Sequence, residues 1–277
     1  MGDPGALSGQ VAWVTGSSRG LGRVMATHLG RLGAEVVVHG TTQTSARAFG
    51  EGESLDQVAR DVATETGGRV LALAADLTRE DQVKAAVDRI RRELGRIDVL
   101  VANAGGDIGP GGATAPGGGR PASNDAVHIS VEDLRAVLDR NLLSCILVCR
   151  EVAPEMMVRR SGRIVTVGSV AGLSGRAEGA IYATAKAAVH EYTRCLAAQL
   201  RAYNVPVNCI APGGTLTARF HATGQAKDTV LDRGETLEGY GRPEDIARAV
   251  EYFVTEAGRH VTGQVLRVDG GDQLWPA

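Results

Sequence analysis

Three residues of the sequence could move a proton together: Ser169 in "VTVGSVAG", and Tyr182 and Lys186 in "YATAK". A tyrosine and a lysine four apart on a helix share one face. A phenol has an ordinary pKa of about 10, too high for ready proton exchange near neutrality. An ammonium beside it favours the phenolate. The phenol then becomes a usable general acid or base. A serine hydroxyl close by can hydrogen-bond the same substrate oxygen. Such a set suits proton transfer to the alkoxide formed as a ketone takes up hydride. Taken alone, the same spacing also describes a half-exposed tyrosine beside a solvated lysine, so the rest of the chain has to decide.

The elements that must position these residues are short and apolar. "VAWV" (11–14), "VVV" (36–38), "VLALA" (70–74), "DVLVA" (98–102), "RIVTV" (163–167), "VPVNCI" (205–210) and "QVLRV" (264–268) are of strand length and lack polar alternation. Runs of this kind read as strands buried on both faces. Helical patterns separate them. "TREDQVKAAVDRIRREL" puts Val83, Val87, Ile90 and Leu94 on one stripe, with acids early and arginines late, as the helix dipole favours. "SVEDLRAVLDRNLLSCILVCREV" predicts one helix capped by Ser130, with Asp133 in place of the usual capping-box Glu. The β-α-β order implies an α/β fold: a doubly wound parallel sheet of about seven strands with helices on both faces. No internal repeat or boundary shows, so residues 1–277 are expected to form a single domain.

Other candidates sit where these strands end. The first strand runs into "TGSSRGLG" (15–22) and then a helix. Glycines there let the backbone approach a ligand, and the helix offers N–H groups and a positive dipole end to a phosphate. Asp76 in "ADLT" and Asn103 in "ANAGG" follow the third and fourth strands. Asp76 also reads as a cap for a helix starting near Thr78. Two stretches break the rhythm, 105–128, dense in Gly and Pro, and 213–243, with mixed polarity. The first reads as a flexible loop, the second as a lid or an idle excursion.

Composition narrows the partners. The 277 residues carry a net charge of −2, which predicts no nucleic-acid or anionic-membrane partner. Cys145, Cys149, Cys195 and Cys209 form no CxxC and read as small buried residues in a reduced compartment, with no metal site. The N-terminus "MGDPGALSGQ" lacks the pattern of a signal peptide, and Ala6 stands where myristoylation needs Ser or Thr. No apolar run reaches spanning length. A cytoplasmic protein is expected.

Taken together, "TGSSRGLG", "NAG", Asn141 in "LDRNLLS", Ser169, "YATAK" and "NCIAPGGTLT" come in order on successive βα units. In this the chain resembles the short-chain dehydrogenase/reductase family over nearly its whole length. It is most similar to the single-domain tetrameric branch of 3-oxoacyl-carrier-protein reductases and polyol or sugar dehydrogenases. The resemblance implies a Rossmann-like fold, a homotetramer and a small carbonyl or alcohol substrate. It implies a catalytic set of Asn141, Ser169, Tyr182 and Lys186. Asn141 would hold a water linking Lys186 to solvent, Ser169 would orient the substrate oxygen, Tyr182 would be the general acid and base, and Lys186 would also bond the nicotinamide ribose. For the cofactor it implies Gly16, Ser18, Arg19, Gly20 and Leu21 at the phosphates and adenosine. Asp76 and Leu77 would flank adenine, Asn103, Ala104 and Gly105 would lie near its ribose, and Pro212, Gly213, Thr215 and Thr217 would border the nicotinamide. The usual double asparagine before "AG" is Ala102-Asn103 here, and the loop from Gly106 to His128 is long for this branch.

Cofactor preference is read at the end of the second strand, "VVVHGTT". Sites for NAD(H) usually place an acid there. Gly40 takes that position, followed by Thr41 and Thr42, and Arg19 offers a forked donor to a 2′-phosphate. NADP(H) is therefore expected ahead of NAD(H). Asp107, Ser169, Arg176, Glu178, Arg219 and His221 are expected to rim the substrate pocket and lean toward a polar, oxygenated substrate. The surplus apolar faces of the helices around 130–157 and 180–200, with Leu274 and Trp275, suit the tetramer. Two other readings stand beside a reversible carbonyl reductase: an NAD-linked polyol or sugar dehydrogenase, and a nucleotide-sensing regulator without catalysis, against which the intact Asn-Ser-Tyr-Lys set argues. A methyltransferase could use a similar glycine loop but needs neither YxxxK nor the serine.

Overall fold

The computed structural model describes residues 3–231, 233 and 236–274. Seven strands form one parallel sheet: β1 (Val11–Val14), β2 (Glu35–Gly40), β3 (Val70–Ala74), β4 (Val99–Ala102), β5 (Arg163–Val167), β6 (Val207–Pro212) and β7 (Val265–Val268). Their order is β3-β2-β1-β4-β5-β6-β7, a Rossmann-like arrangement. All seven expected strands are present, within two residues at their ends.

The strands are apolar throughout because alternate side chains enter two different cores. Val11, Trp13, Val37 and Leu100 face one core, and Ala12, Val14, Val36, Val38, Val99 and Val101 face the other. The first core is covered by α3 (Glu80–Leu94), α5 (Ser144–Arg159) and α6 (Ala180–Leu200), the second by α1 (Gly20–Arg31), α2 (Leu55–Thr66) and α9 (Pro243–Val254). Full burial of one Val or Leu side chain stabilises by roughly 1.5–3 kcal/mol. The central strands therefore hold both helical layers to one frame.

The helix predicted from Ser130 onward forms, with helical backbone angles throughout, and carries a π turn part-way. α4 (Val131–Leu138) is followed by a π turn, Asp139–Leu143, before α5 begins. In the π turn the Ser144 N–H reaches the Asp139 carbonyl. Ser130 caps α4 by accepting the Asp133 N–H at 3.0 Å, and the short Asp133 carboxylate accepts the Ser130 hydroxyl at 2.7 Å. Two short helices, α7 (Ala218–Ala222) and α8 (Asp228–Leu231), lie in the second irregular stretch. α3 starts at Glu80 with Arg79 as N-cap, two residues later than expected. Asp76 instead closes a turn before it, accepting the Thr78 N–H and hydroxyl at 3.0 and 2.7 Å.

The 105–128 loop, read as flexible from its glycines, is tied down by polar contacts. Asn124 Nδ2 and Arg120 Nε donate to Asp107 Oδ2 at 2.7 and 3.2 Å, and the Gly179 N–H donates to the Asn124 carbonyl at 2.7 Å. Three of the four cysteines are buried as expected, but Cys195 is exposed because it lies on the outer face of α6 beside Glu191. Trp275 lies outside the described residues, and Leu274 before it is exposed. No described helix is long and apolar enough to cross a membrane.

Candidate active site

The strand order reverses between β1 and β4, and their carboxyl ends open a crevice, as doubly wound sheets do at such a point. Thr15 and Asn103 join the two ends. Thr15 Oγ1 accepts the Asn103 and Ala104 N–H groups at 2.9 Å each, and Asn103 Nδ2 donates to the Thr15 carbonyl at 2.8 Å. One cavity of about 1470 Å³ runs along this crevice. At one end it meets Arg19, Thr41 and Thr42; at the other it meets Ser169, Tyr182 and Phe220.

Its walls fit an extended nucleotide. Gly16 has φ +66°, and a Cβ there would lie 2.9 Å from Ala104 Cα. Gly22 has no room for a side chain against the Gly16 carbonyl. Gly20 and Gly22 thus leave the start of α1 open toward the cavity, as phosphate binding requires. Gly16, Ser18, Arg19, Gly20, Leu21, Thr41, Thr42, Asp76, Leu77, Asn103, Ala104, Gly105, Pro212, Gly213, Thr215 and Thr217 all line this one cavity, as do Tyr182 and Lys186. Arg19 is held at the Thr41 and Thr42 end of the cavity by a 2.5 Å bond from Nη1 to the Ser45 carbonyl and by the Phe49 ring, whose centroid is 5.8 Å away.

His39 was not anticipated. Its Nδ1 accepts the Gly16 N–H at 2.9 Å and its Nε2 pairs with the Ala75 carbonyl at 3.0 Å. That pattern requires the neutral imidazole with its proton on Nε2. Burial pushes its pKa down to about 4. The imidazole so braces the glycine loop against the edge that follows β3. Glu51 was not anticipated either. The sequence shows no acid at the end of β2, but the turn after β2 returns Glu51 to α1, where Oε2 accepts the Gly20 N–H at 2.7 Å. Nothing in local spacing reports such a return.

At the other end, α6 carries Tyr182 and Lys186. The Lys186 ammonium is buried, donates to the Val167 carbonyl at 2.7 Å, and lies 5.7 Å from the Tyr182 ring centroid. Ser169 follows β5 and faces the same cavity. Its N–H donates to His190 Nε2 at 3.4 Å, and its hydroxyl accepts the Ala171 N–H at 3.1 Å. Burial and then the Lys186 charge push His190 down to about 4, so it accepts as a neutral imidazole. Asn141 sits behind the wall, 1% exposed. Its side-chain amide is committed: Oδ1 accepts the Gly106 N–H, and Nδ2 donates to the Gly106 and Val137 carbonyls, each at 2.8 Å. These three bonds fix the Asn141 amide against the wall at Gly106.

Of the expected substrate-pocket residues, Asp107, Ser169, Arg176, Glu178 and Arg219 line the cavity; His221 does not. Arg219, Phe220 and Thr223 take the inward face of α7 and its end, which turns His221 out to solvent. Arg219 joins the two irregular stretches, donating from Nη2 to the Asp107 carbonyl at 2.7 Å and from Nε to the Gly118 carbonyl at 3.3 Å. Burial pulls its guanidinium below the ordinary value, opposed by Tyr182 and Asp107 nearby.

The sequence profile of short chain dehydrogenases matches residues 10–228. The chain belongs to the short-chain dehydrogenase/reductase family. Members are oxidoreductases of alcohols and ketones that use a nicotinamide cofactor, NAD(H) or NADP(H). The chain is 39% identical over 274 residues to a cyclohexanol dehydrogenase of Rhodococcus sp., with 96% of each chain covered. It is 34% identical over 272 residues to a 3-oxoacyl-[acyl-carrier-protein] reductase of Synechocystis sp., covering 96% of this chain and 98% of the relative. Among solved structures, an Agrobacterium tumefaciens protein provisionally assigned as a gluconate dehydrogenase superposes with a TM-score of 0.81 at 30% identity, covering 97% of both chains.

Proposed function

We propose that the chain is an NADP(H)-dependent oxidoreductase interconverting a ketone and a secondary alcohol, with all of it acting as one dinucleotide-binding and catalytic domain. The observation that carries this reading is the single cavity that joins the glycine loop and Arg19 to Ser169, Tyr182 and Lys186. A nicotinamide cofactor bound along it supplies or accepts the hydride. Tyr182 gives its phenolic proton to the substrate oxygen in reduction and takes it back in oxidation. Ser169 donates a hydrogen bond to the same oxygen. Lys186, fixed by the Val167 carbonyl, keeps a positive charge at the tyrosine. Asn141 and His190 hold the surrounding backbone. Preference for NADP(H) is supported by a β2 that ends without an acid and by Arg19 held at that end of the cavity.

The cavity around Tyr182 supports a polar, oxygenated substrate. Asp107, Arg120, Glu178 and Arg219 line it beside Ser169; they pair largely with one another and with backbone, but Asp107 Oδ1 is buried without a hydrogen-bond partner, and a substrate with several oxygens engages such a lining better than a plain alicyclic alcohol. The names of the relatives point both ways, to cyclohexanol and to gluconate, and the charged lining favours the second kind. A homotetramer in the cytoplasm completes the reading; Leu143 and Val158 on the α5 side and Leu274 leave apolar surface for partner copies. The test is absorbance at the reduced-nicotinamide band with both cofactors and a panel of neutral, hydroxylated and acidic ketones and alcohols. Tyr182→Phe should lose about a thousandfold in turnover and retain cofactor binding. Near-normal turnover in that variant would remove Tyr182 from the mechanism.

A further inference from the structure

The adenosine end of the cavity holds an acid that no strand carries. Gly40, where β2 ends, cannot supply one: a Cβ there would lie 2.9 Å from Ser45 Cβ and 3.2 Å from Ser18 Cβ. Glu51 arrives from the turn that follows. Phe49 and Gly50 take φ of 67° and 70° and swing the chain back toward α1. The Arg23 guanidinium then fixes the turn, donating from Nη1 to the Glu51 carbonyl at 2.7 Å. One carboxylate oxygen of Glu51 takes the first N–H of α1, that of Gly20. The other, Oε1, is out of solvent contact and has no hydrogen-bond partner. Both Glu51 and Arg19 line the cavity, and the charge of Glu51 acts on the Arg19 guanidinium.

We propose that Glu51 sets the cofactor preference of this site by opposing a 2′-phosphate. The inference rests on the reading that a nicotinamide dinucleotide lies in the cavity with its adenosine ribose at Arg19. A phosphate ester there carries a charge between about −1.5 and −2 at neutral pH. It needs the positive field of Arg19 and of the α1 N-terminus. Glu51 draws on both. Its Coulombic effect offsets part of the Arg19 charge, and its Oε2 occupies the first helix N–H. A ribose hydroxyl brings no charge and is not repelled. Glu51 therefore holds the preference for NADP(H) below what Arg19 alone would give. A plainer role exists: α1, like any helix, leaves its first N–H groups without partners inside the helix, and Glu51 satisfies one of them. That role predicts no difference between the two cofactors.

Glu51→Gln separates the two roles. The amide keeps an oxygen for the Gly20 N–H and nearly the same size, and removes the charge. NADP⁺ and NAD⁺ are titrated into the purified wild-type protein and the variant by calorimetry, at low and at high salt. The expected result is about tenfold tighter NADP⁺ in the variant at low salt, the size of one screened charge repulsion near a protein surface. NAD⁺ should shift less than twofold, and the NADP⁺ gain should shrink as salt is added. Glu51→Ala loses the acceptor as well as the charge; it should widen the NADP⁺ to NAD⁺ ratio equally while lowering the thermal midpoint. If both cofactors shift by one factor, or neither shifts, Glu51 is a helix cap and the proposal falls. Weaker NAD⁺ with unchanged NADP⁺ also overturns it, and makes Glu51 a ribose-hydroxyl acceptor. A wild-type protein that binds NAD⁺ more tightly contradicts NADP(H) preference, yet the shift on substitution still decides the role of Glu51. Binding of neither dinucleotide overturns both.

Discussion

Gly105 stands between two of the groups the mechanism depends on, and a single methyl there tests the arrangement. In Gly105→Ala the new Cβ would lie 2.6 Å from Asn141 Oδ1 and 3.3 Å from Lys186 Nζ. Ordinary contact begins at 3.4 Å, so Asn141 Oδ1 has to retreat by 3.4 − 2.6 = 0.8 Å. It is not free to do so, because the Asn141 amide makes three hydrogen bonds of 2.8 Å in a fully buried position. Overpacking of this kind costs about 1–3 kcal/mol, and one stretched buried hydrogen bond adds about 1. The thermal midpoint should fall by roughly 5–10 °C. Lys186 shifts with the wall, and a displacement approaching 1 Å in a catalytic constellation costs about a hundredfold in rate. Turnover is read at the reduced-nicotinamide band with the best substrate of the panel, alongside a thermal melt. Gly175→Ala is the control, since nothing lies within 4 Å of a Cβ there; it should change neither. Turnover of Gly105→Ala within threefold of wild type, with an unshifted melt, would refute the coupling of Asn141 and Lys186 through this wall.

Acid should destabilise the protein through two imidazoles. His39 and His190 have pKa values of about 4 in the fold against 6.5 for a free imidazole. Above pH 6.5 both are neutral in folded and unfolded chains, and the folded state bears no penalty. Between pH 6.5 and 4 the unfolded chain binds more protons, so stability falls as pH falls, by about 3 kcal/mol for each histidine when the window is complete. Urea midpoints from pH 7.5 to 4.5 should show this slope, and it should flatten in His190→Gln; an equal slope in that variant would exclude His190 as its source. Light scattering at micromolar concentration should give four copies per particle, and a stable monomer would contradict the assembly proposed from the apolar surfaces of α5 and Leu274.

The sequence made the strands legible because each is buried on both sides and so reads as an unbroken apolar run. The ends of those strands were legible for the same reason, and with them the glycine loop, Asp76, Asn103 and Ser169. The π turn at Asp139–Leu143 was not, since it adds one residue to a turn without disturbing the apolar stripe on either side. Asn141 lies inside it, which is why its amide turns back to Gly106. The 105–128 loop misled for a different reason. Glycine content reports local freedom, whereas Asp107, Asn124, Arg120 and Arg219 hold the loop by contacts between residues up to 112 positions apart. His221 was misplaced because a five-residue helix has too few turns to show which face points inward.

The close packing of Gly40 bears on how this chain can change. An acid at the end of β2 is the substitution most directly suited to exchanging one cofactor for the other, and here it meets Ser45 and Ser18 before it meets a ribose. His39 beside it is bound on both ring nitrogens and is equally fixed. The turn from Ser45 to Glu51 is anchored by buried Ala46 and Ala48, but Arg47 and Gly50 within it are exposed. Sequence drift in this lineage, and any laboratory selection for altered cofactor use, should therefore collect mutations at the exposed positions of that turn and at Glu51, and leave the strand end untouched.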